Sequence, residues 1–292
     1  MKHLTPQLEL AIDADNYLGE SPVWAPGERA LYWINCEQPA ELLRWCPTSG
    51  ERRSWPMPER IGGFVFKEGG GALVVLAGGI YDLDLVSGAL DLRVRSTLEH
   101  AALHECACDR QGRLWVGAID HRVSPEHLPG GGALYRLDGD RLIEEESGIS
   151  CSNGLAFSPD GRTLYHTDAP TRIIHAWTLD PGSGGISNKR EFARLGVDDG
   201  YCDGATVDAE GGYWAALVFA GKLRRYLPSG EIDLEITLPF SAPTKPIFGG
   251  DDLSTLFLTT TKMMGADDGA GLAGGVFAFQ PGVCGLPEPS LK

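Results

Sequence analysis

A chain of 292 residues could hold two average domains, although β architectures often reach this length as one folded unit. With 25 Lys plus Arg against 40 Asp plus Glu, the net charge of −15 repels phosphate backbones and anionic bilayers, so nucleic acid and membrane surfaces are excluded as expected partners. No apolar run approaches the ~18 residues of a membrane helix, the opening MKHLTPQLELAIDADN lacks the basic-then-apolar order of a secretory signal, and seven scattered cysteines suggest no disulfide framework; a cytoplasmic protein with reduced thiols is expected.

Glycines (39) and prolines (19) punctuate short apolar segments, and apolar spacing of three and four almost nowhere persists for three helical turns. The pattern is all-β. One phrase recurs along the chain, a Gly-, Asp- or Pro-rich turn followed by Leu or its equivalent and then an aromatic or β-branched residue. It reads PGERALYW at 26–33, EGGGALVV at 68–75, RQGRLWVG at 110–117, PDGRTLYH at 159–166, AEGGYWAA at 209–216 and GDDLSTLF at 250–257.

With Tyr32, Val74, Trp115, Tyr165, Trp214 and Phe257 taken as equivalent, the units are about 42, 41, 50, 49 and 43 residues apart, the length of one propeller blade. Six copies predict a six-bladed β-propeller of four-stranded blades around a central metal-binding funnel, a single domain over 1–292. Each turn is the hairpin between a blade's first two strands. Later strands follow, as in GALYRLDGDRLIEEE and KLRRYLPSGEIDLEITL.

First strands line the channel, so the residue opening each one should sit at the same end of the funnel. Counting back eleven or twelve residues from the marker gives, in chain order, Glu20, Gly62, His104, Asn153, Asp203 and Lys245. Five are polar or charged, whereas the strands that follow (PVWA, GLAF, GATV) are small or apolar; unpaired charges in a packed channel would cost several kcal/mol. GESPVW, SNGLAF and CDGATV each set an oxygen-bearing side chain beside a glycine. Three such oxygens from rigid strands can hold a divalent cation and leave positions open for water and substrate.

The third unit, LHECACDRQGRLWVG, imitates a zinc site. Alternate residues of a strand advance about 6.6 Å per pair, so only His104 reaches the mouth, and Cys106 and Cys108 are expected to pack deeper as small apolar groups. His104 is expected to hydrogen-bond substrate hydroxyls or add a nitrogen ligand, and Glu105 to accept from a hydroxyl or from His104. His166 and Asp168 are expected in structural roles. His121 and His127 fall in a long loop that could cover the funnel, Tyr201 could wall it, and Trp24, Trp33, Trp115 and Trp214 belong to the blade core.

LGESPVW, SNGLAFSPDGRTLYHTD, SNKREFA, DGATVDAEGGYWAA and KPIFGG, in this order, give the chain its resemblance to the gluconolactonase, regucalcin and luciferin-regenerating-enzyme family, also called the senescence marker protein family. The resemblance implies a six-bladed propeller that binds one divalent metal through Glu20, Asn153 and Asp203, and in most members a sugar lactonase. Many relatives carry Asn-Asp where this chain has His104-Glu105, within an Arg-x-Asn-Asp phrase whose Arg position is Ala102 here, so substrate preference should differ.

The expected activity is metal-dependent hydrolysis of a sugar lactone, pentono- or hexonolactone, to the aldonic acid. Asp203 is the candidate general base, and His104, Glu105, Lys245 and Tyr201 are the candidate substrate-binding residues. The cation could be calcium, magnesium, manganese, iron(II) or zinc. Alternatives are a calcium-binding or partner-binding propeller without activity, and an aryl-ester or phosphotriester hydrolase, which would want a more apolar funnel. No Gly-x-Ser-x-Gly, P-loop or dinucleotide fingerprint occurs. A monomer or weak homo-oligomer is expected.

Overall fold

The computed structural model describes residues 2–3, 6–124, 127–263 and 271–292. Six sheets of four antiparallel strands follow one another around a ring, the fifth extended by Lys2–His3 running parallel to Ile232–Thr237, and the strand nearest the axis is the first of its unit: Gly19–Ala25, Ile61–Phe66, Ala101–Cys108, Ser152–Phe157, Tyr201–Val207 and Pro243–Gly249. The propeller is as the repeats predict. Each marker residue lies on the second strand of its blade and is almost wholly buried, from Val74, Trp115 and Trp214 at 0% exposure to Phe257 at 5%. Among the described residues no helix is long and apolar enough to cross a membrane.

The hairpin turns explain why the same phrase recurs. Asp208 Oδ1 accepts the amides of Glu210 and Gly212, while Oδ2 takes the Trp214 indole N–H at 2.7 Å and Arg225 Nε at 2.7 Å. In the third blade Asp109 caps its turn in the same way and reaches Trp115 Nε1 at 3.2 Å. A buried aspartate is tolerable here because every lone pair has a donor.

Ring closure was not visible in the repeats. The fourth strand of the sixth blade is Glu9–Ile12, from the other end of the chain, paired antiparallel with Val276–Phe279. Residues 283–292 then cross the lower face: Cys284 O accepts from Ala209, Pro287 O from Arg110, and Leu291 and Lys292 bond the backbones of Phe66, Glu68 and Gly112. Glu288 and Pro289 thereby cover the lower end of the channel, where a cavity of about 50 Å³ remains. The opposite mouth is the open one.

Each of the six inner strands carries a register shift at the same level, between Glu20 and Val23, Ile61 and Gly63, Leu103 and Cys106, Asn153 and Ala156, Cys202 and Ala205, and Pro243 and Pro246. These are β-bulges, which bend a strand and re-aim a side chain. They build the floor of the site.

Candidate metal and substrate site

The open mouth leads into a cavity of about 370 Å³ whose floor includes Glu20, His104, Asn153 and Asp203. Four of the six residues reached by register thus share one cavity, and Tyr201 stands on its wall. Tyr201 is held there by Arg172, whose guanidinium carbon lies 4.7 Å from the ring centre and whose Nε donates to Gly200 O.

Lys245 and Glu105 do not line this cavity. In five blades the bulge places two residues opposite one, and Glu105 and Lys245 each occupy the second of the two, turned down the channel. Lys245 is 7% exposed and lines the lower cavity, its stem filling the space where a Cβ on Gly204 would be 2.5 Å from the Lys245 Cβ. Glu105 accepts from the Ser152 hydroxyl and the Leu155 amide, both at 3.2 Å, rather than from His104. Counting back from the marker cannot detect the extra residue of a bulge, which reverses the facing of whatever follows it. Gly62, the remaining register position, has no side chain for a clear reason: a Cβ there would lie 2.3 Å from His104 O.

Glu20 and Asp203 are hydrogen-bonded to each other. Burial is the largest cause that raises both above the ordinary carboxylate range, Asp203 further, because Glu20 and Glu105 add like charge while Lys245 opposes it. The Ser21 amide donates to Glu20 Oε2 at 2.8 Å and fixes that side chain. The Asn153 amide nitrogen donates to Asp203 Oδ1 at 2.9 Å and to Ser152 O at 3.3 Å. Turned over, the amide would instead add its oxygen to those of the two acids. The donor set fits a hard or borderline divalent cation.

His104 has a defined tautomer. Arg60 Nη1 and Nη2 both lie 3.3 Å from its Nδ1, and since a guanidinium can only donate, Nδ1 is the acceptor and the ring proton is on Nε2. Burial, then the charges of Arg60 and Lys245, hold the imidazole well below its usual value, so it is neutral. A neutral ring with Nε2–H is a donor toward substrate. The alternative expectation, a nitrogen ligand through Nε2, would place a proton on Nδ1 against the donors of Arg60.

Sequence reasoning missed Arg60, Glu37, Cys151 and Phe219, all on the cavity wall. They belong to connecting segments, outside the inner-strand register. Phe219 has a left-handed backbone (φ 67°) and is 42% exposed, and with Ala169, Pro170, Val218 and Met263 it makes much of the wall apolar. The long loop does approach the funnel, through Val123 and Ser124; His121 and His127 are exposed and do not line it, and Pro125 and Glu126 lie outside the described residues.

The thiols behave as expected. Cys106 and Cys108 are buried in the cluster around Val65, Leu73 and Val116, burial pushes the Cys106 thiol up to about 12, and no disulfide forms among the described cysteines. Among the described residues no three His, Cys, Asp or Glu side chains converge as a metal cluster, and the site above depends on its asparagine. His166 Nε2 lies 2.7 Å from Ser152 Oγ, and Asp168 Oδ1 accepts the amides of Ser150 and Cys151, so both brace the strand that presents Asn153. Trp24, Trp33, Trp115 and Trp214 are core.

Residues 18–262 match the family described as SMP-30/Gluconolactonase/LRE-like region. The chain is 36% identical over 293 residues to 6-deoxy-6-sulfogluconolactonase of Pseudomonas putida (97% of each chain) and 33% identical over 291 residues to L-arabinolactonase of Azospirillum brasilense (97% and 95%). Among solved structures, a calcium-binding protein, regucalcin, from Agrobacterium tumefaciens superposes with a TM-score of 0.93 at 24% identity, covering 100% of this chain and 99% of that one, a likeness of fold.

Proposed function

The chain belongs to the SMP-30/gluconolactonase/LRE-like family, and on that premise we propose that it hydrolyses a sugar lactone to the open-chain sugar acid with one divalent cation. The observation that carries this reading is that Glu20, Asn153 and Asp203, from three separate blades, meet on the floor of one open cavity. Lactonases named among the relatives, for sulfonated hexose and for arabinose, support the substrate class. Calcium is the first cation to try, given the regucalcin neighbour.

Glu20, Asn153 and Asp203 would hold the cation. When bound, it would supply positive charge to polarise the ring carbonyl, a contribution of several kcal/mol. Burial raises Glu20, Glu105 and Asp203 while the Lys245 charge lowers each of them, and a bound divalent cation would add to the positive charge that keeps these carboxyl groups ionised.

Asp203 is the general base. Its carboxylate takes a proton from the attacking water, a transfer typically worth about 10² to 10⁴ in rate. Water oxygen bonds to the carbonyl carbon, the ring C–O bond breaks, and the ring oxygen leaves with a proton as a hydroxyl. His104, neutral and fixed by Arg60, donates from Nε2–H to a sugar oxygen, and Tyr201 packs against the ring. Glu105 and Lys245 act from below as charge balance rather than as substrate contacts.

A second reading follows from the wall. Phe219, Pro170, Val218 and Met263 are apolar, so an aryl ester or phosphotriester fits better than a polar funnel would allow. A panel of pentono- and hexonolactones beside phenyl acetate and a phosphotriester, with metal-stripped protein refilled by single cations, decides between them. Lactone turnover restored by a cation and lost in Glu20→Ala and Asp203→Asn supports the proposal; full turnover after stripping, or in both variants, ends it. Cation binding with no turnover of any ester leaves a binding protein.

A further inference from the structure

Arg60 sits in the segment between the first and second blades, just ahead of the inner strand Ile61–Phe66, and its guanidinium forms part of the cavity wall. It is the one cationic side chain among the described residues of that wall. Its partner is a neutral imidazole, with both Nη atoms on His104 Nδ1 at 3.3 Å, and no ion pair joins it to a described carboxylate.

Arg224 is 4% exposed and holds Asp199 and Glu235; Arg225 is 5% exposed and holds Asp208, Glu210 and Asp233. Arg172, partly buried like Arg60, has no ion pair either, but is committed to the Tyr201 ring and the Gly200 carbonyl. Arg60, half-buried, is left with one acceptor shared between two nitrogens and with N–H donors to spare. Glu37 reaches the same cavity but makes no ion pair with it, and Glu20, whose carboxyl the Arg60 charge lowers, is bonded to Asp203 and the Ser21 amide instead.

A neutral lactone would desolvate this charge without giving it a counterion, which is costly, whereas a planar or tetrahedral oxyanion can accept from the guanidinium N–H donors that His104 leaves free. The reacting carbonyl belongs at the carboxyl floor, so the group that meets Arg60 is a substituent elsewhere on the sugar. The apolar wall offers a second charge no competing site. With −15 overall, the protein repels anions at long range, so selection of one requires a local cation of this kind.

We propose that Arg60 forms an anion subsite of the cavity, and that the preferred lactone carries a negatively charged substituent, a carboxylate or a sulfonate, on the carbon outside the ring. This rests on the lactonase reading for the identity of the ligand and on the geometry of Arg60 for its charge.

Three lactones of one ring size and configuration test it, differing only in whether that carbon is a hydroxymethyl, a carboxylate or a sulfonatomethyl group. They are assayed with cation-loaded wild type, Arg60→Gln and Arg60→Lys. The expected result is a charged-to-neutral ratio of kcat/KM of at least ~10 in wild type, collapsing toward one in Arg60→Gln and partly kept in Arg60→Lys, since a hydrogen bond between charged groups is worth about a factor of ten or more. The better of the two charged substrates identifies the oxyanion. A wild-type ratio near or below one, or the wild-type ratio retained in Arg60→Gln, overturns the subsite.

The readout is a ratio, so a general loss from disturbing His104 does not move it. If no lactone turns over, the lactonase reading fails, and the subsite is then judged by calorimetry with the corresponding ring ethers, which cannot be hydrolysed. Tenfold tighter binding of the charged ethers, lost in Arg60→Gln, sustains it; equal binding of charged and neutral ethers ends it.

Discussion

The Asn153 amide nitrogen donates to Asp203 Oδ1 at 2.9 Å, across the space that Glu20 also borders. A divalent ion held by these three residues would turn the amide over and displace the proton that the Glu20–Asp203 hydrogen bond requires. Since it binds the folded form, stability rises by RT ln(1 + [L]/Kd), about 2.7 kcal/mol at one hundred times Kd. At about 2 to 4 °C per kcal/mol in larger domains, wild type should gain roughly 5 °C or more in thermal unfolding with saturating cation. Glu20→Gln and Asp203→Asn should gain almost none. An equal gain in all three proteins would place the cation elsewhere.

The Arg60 contact makes a directional prediction for His104. Gln carries its amide nitrogen near the place of Nε2, and Asn nearer that of Nδ1. His104→Gln can keep the donor to substrate and should retain kcat/KM within about tenfold, whereas His104→Asn should lose about 1 to 3 kcal/mol of transition-state binding, a further factor of roughly 5 to 150. Nitrogen chemical shifts of the wild-type ring provide an independent readout, with Nδ1 unprotonated throughout the neutral range. A protonated Nδ1 would contradict the assigned tautomer.

The fold was legible because a propeller repeats its hairpin turn, and a turn such as PDGRTLYH has to satisfy the same backbone and bury the same residue each time. Glu20, Asn153, Asp203 and His104 could be reached from that turn by counting, because inner strands run a fixed distance from it to the mouth. Lys245 and Glu105 could not, since a bulge adds a residue without leaving a mark in composition. Arg60 and Phe219 lie on segments that follow no repeat. Closure of the sixth blade by Glu9–Ile12 depends on pairing between residues some 270 positions apart, which periodicity does not encode.

Acid stability should carry the signature of His166. The ring is 1% exposed, and burial, then the charges of Lys189 and His175, lower it from 6.5 to about 3. The unfolded chain therefore binds one more proton than the folded one between those limits. Stability contributed by the neutral ring is fully present above 6.5 and is lost as pH falls toward 3, by up to about 1.4 kcal/mol per pH unit. Glu105, pushed from 4.5 up to about 7 chiefly by burial, acts with opposite sign, its contribution present below 4.5 and lost as pH rises toward 7. The His166 effect is cleanest between pH 4.5 and 3, where Glu105 is largely protonated in both states. Chemical denaturation across that range should show a shallower slope for His166→Gln than for wild type; parallel slopes would refute the buried neutral ring.

Gly62 and His104 are coupled through the backbone rather than through a side chain. A methyl group at position 62 would meet His104 O at 2.3 Å, its carbonyl carbon at 2.6 Å and its Cα at 2.7 Å, none of which can swing aside as a flexible side chain could. Either the inner strands of blades two and three separate or the bulge that aims His104 shifts. Overpacking against rigid backbone costs about 1 to 3 kcal/mol, occasionally more. Because Glu20, Asn153 and Asp203 lie on other blades, Gly62→Ala should lower stability by about that amount and raise KM more than it lowers cation affinity. Measured by denaturation, steady-state kinetics and cation titration on the same preparation, a variant whose cation affinity falls in proportion to its loss of substrate binding would show that His104 and the carboxyl floor move as one body, and would remove the separation of roles between them.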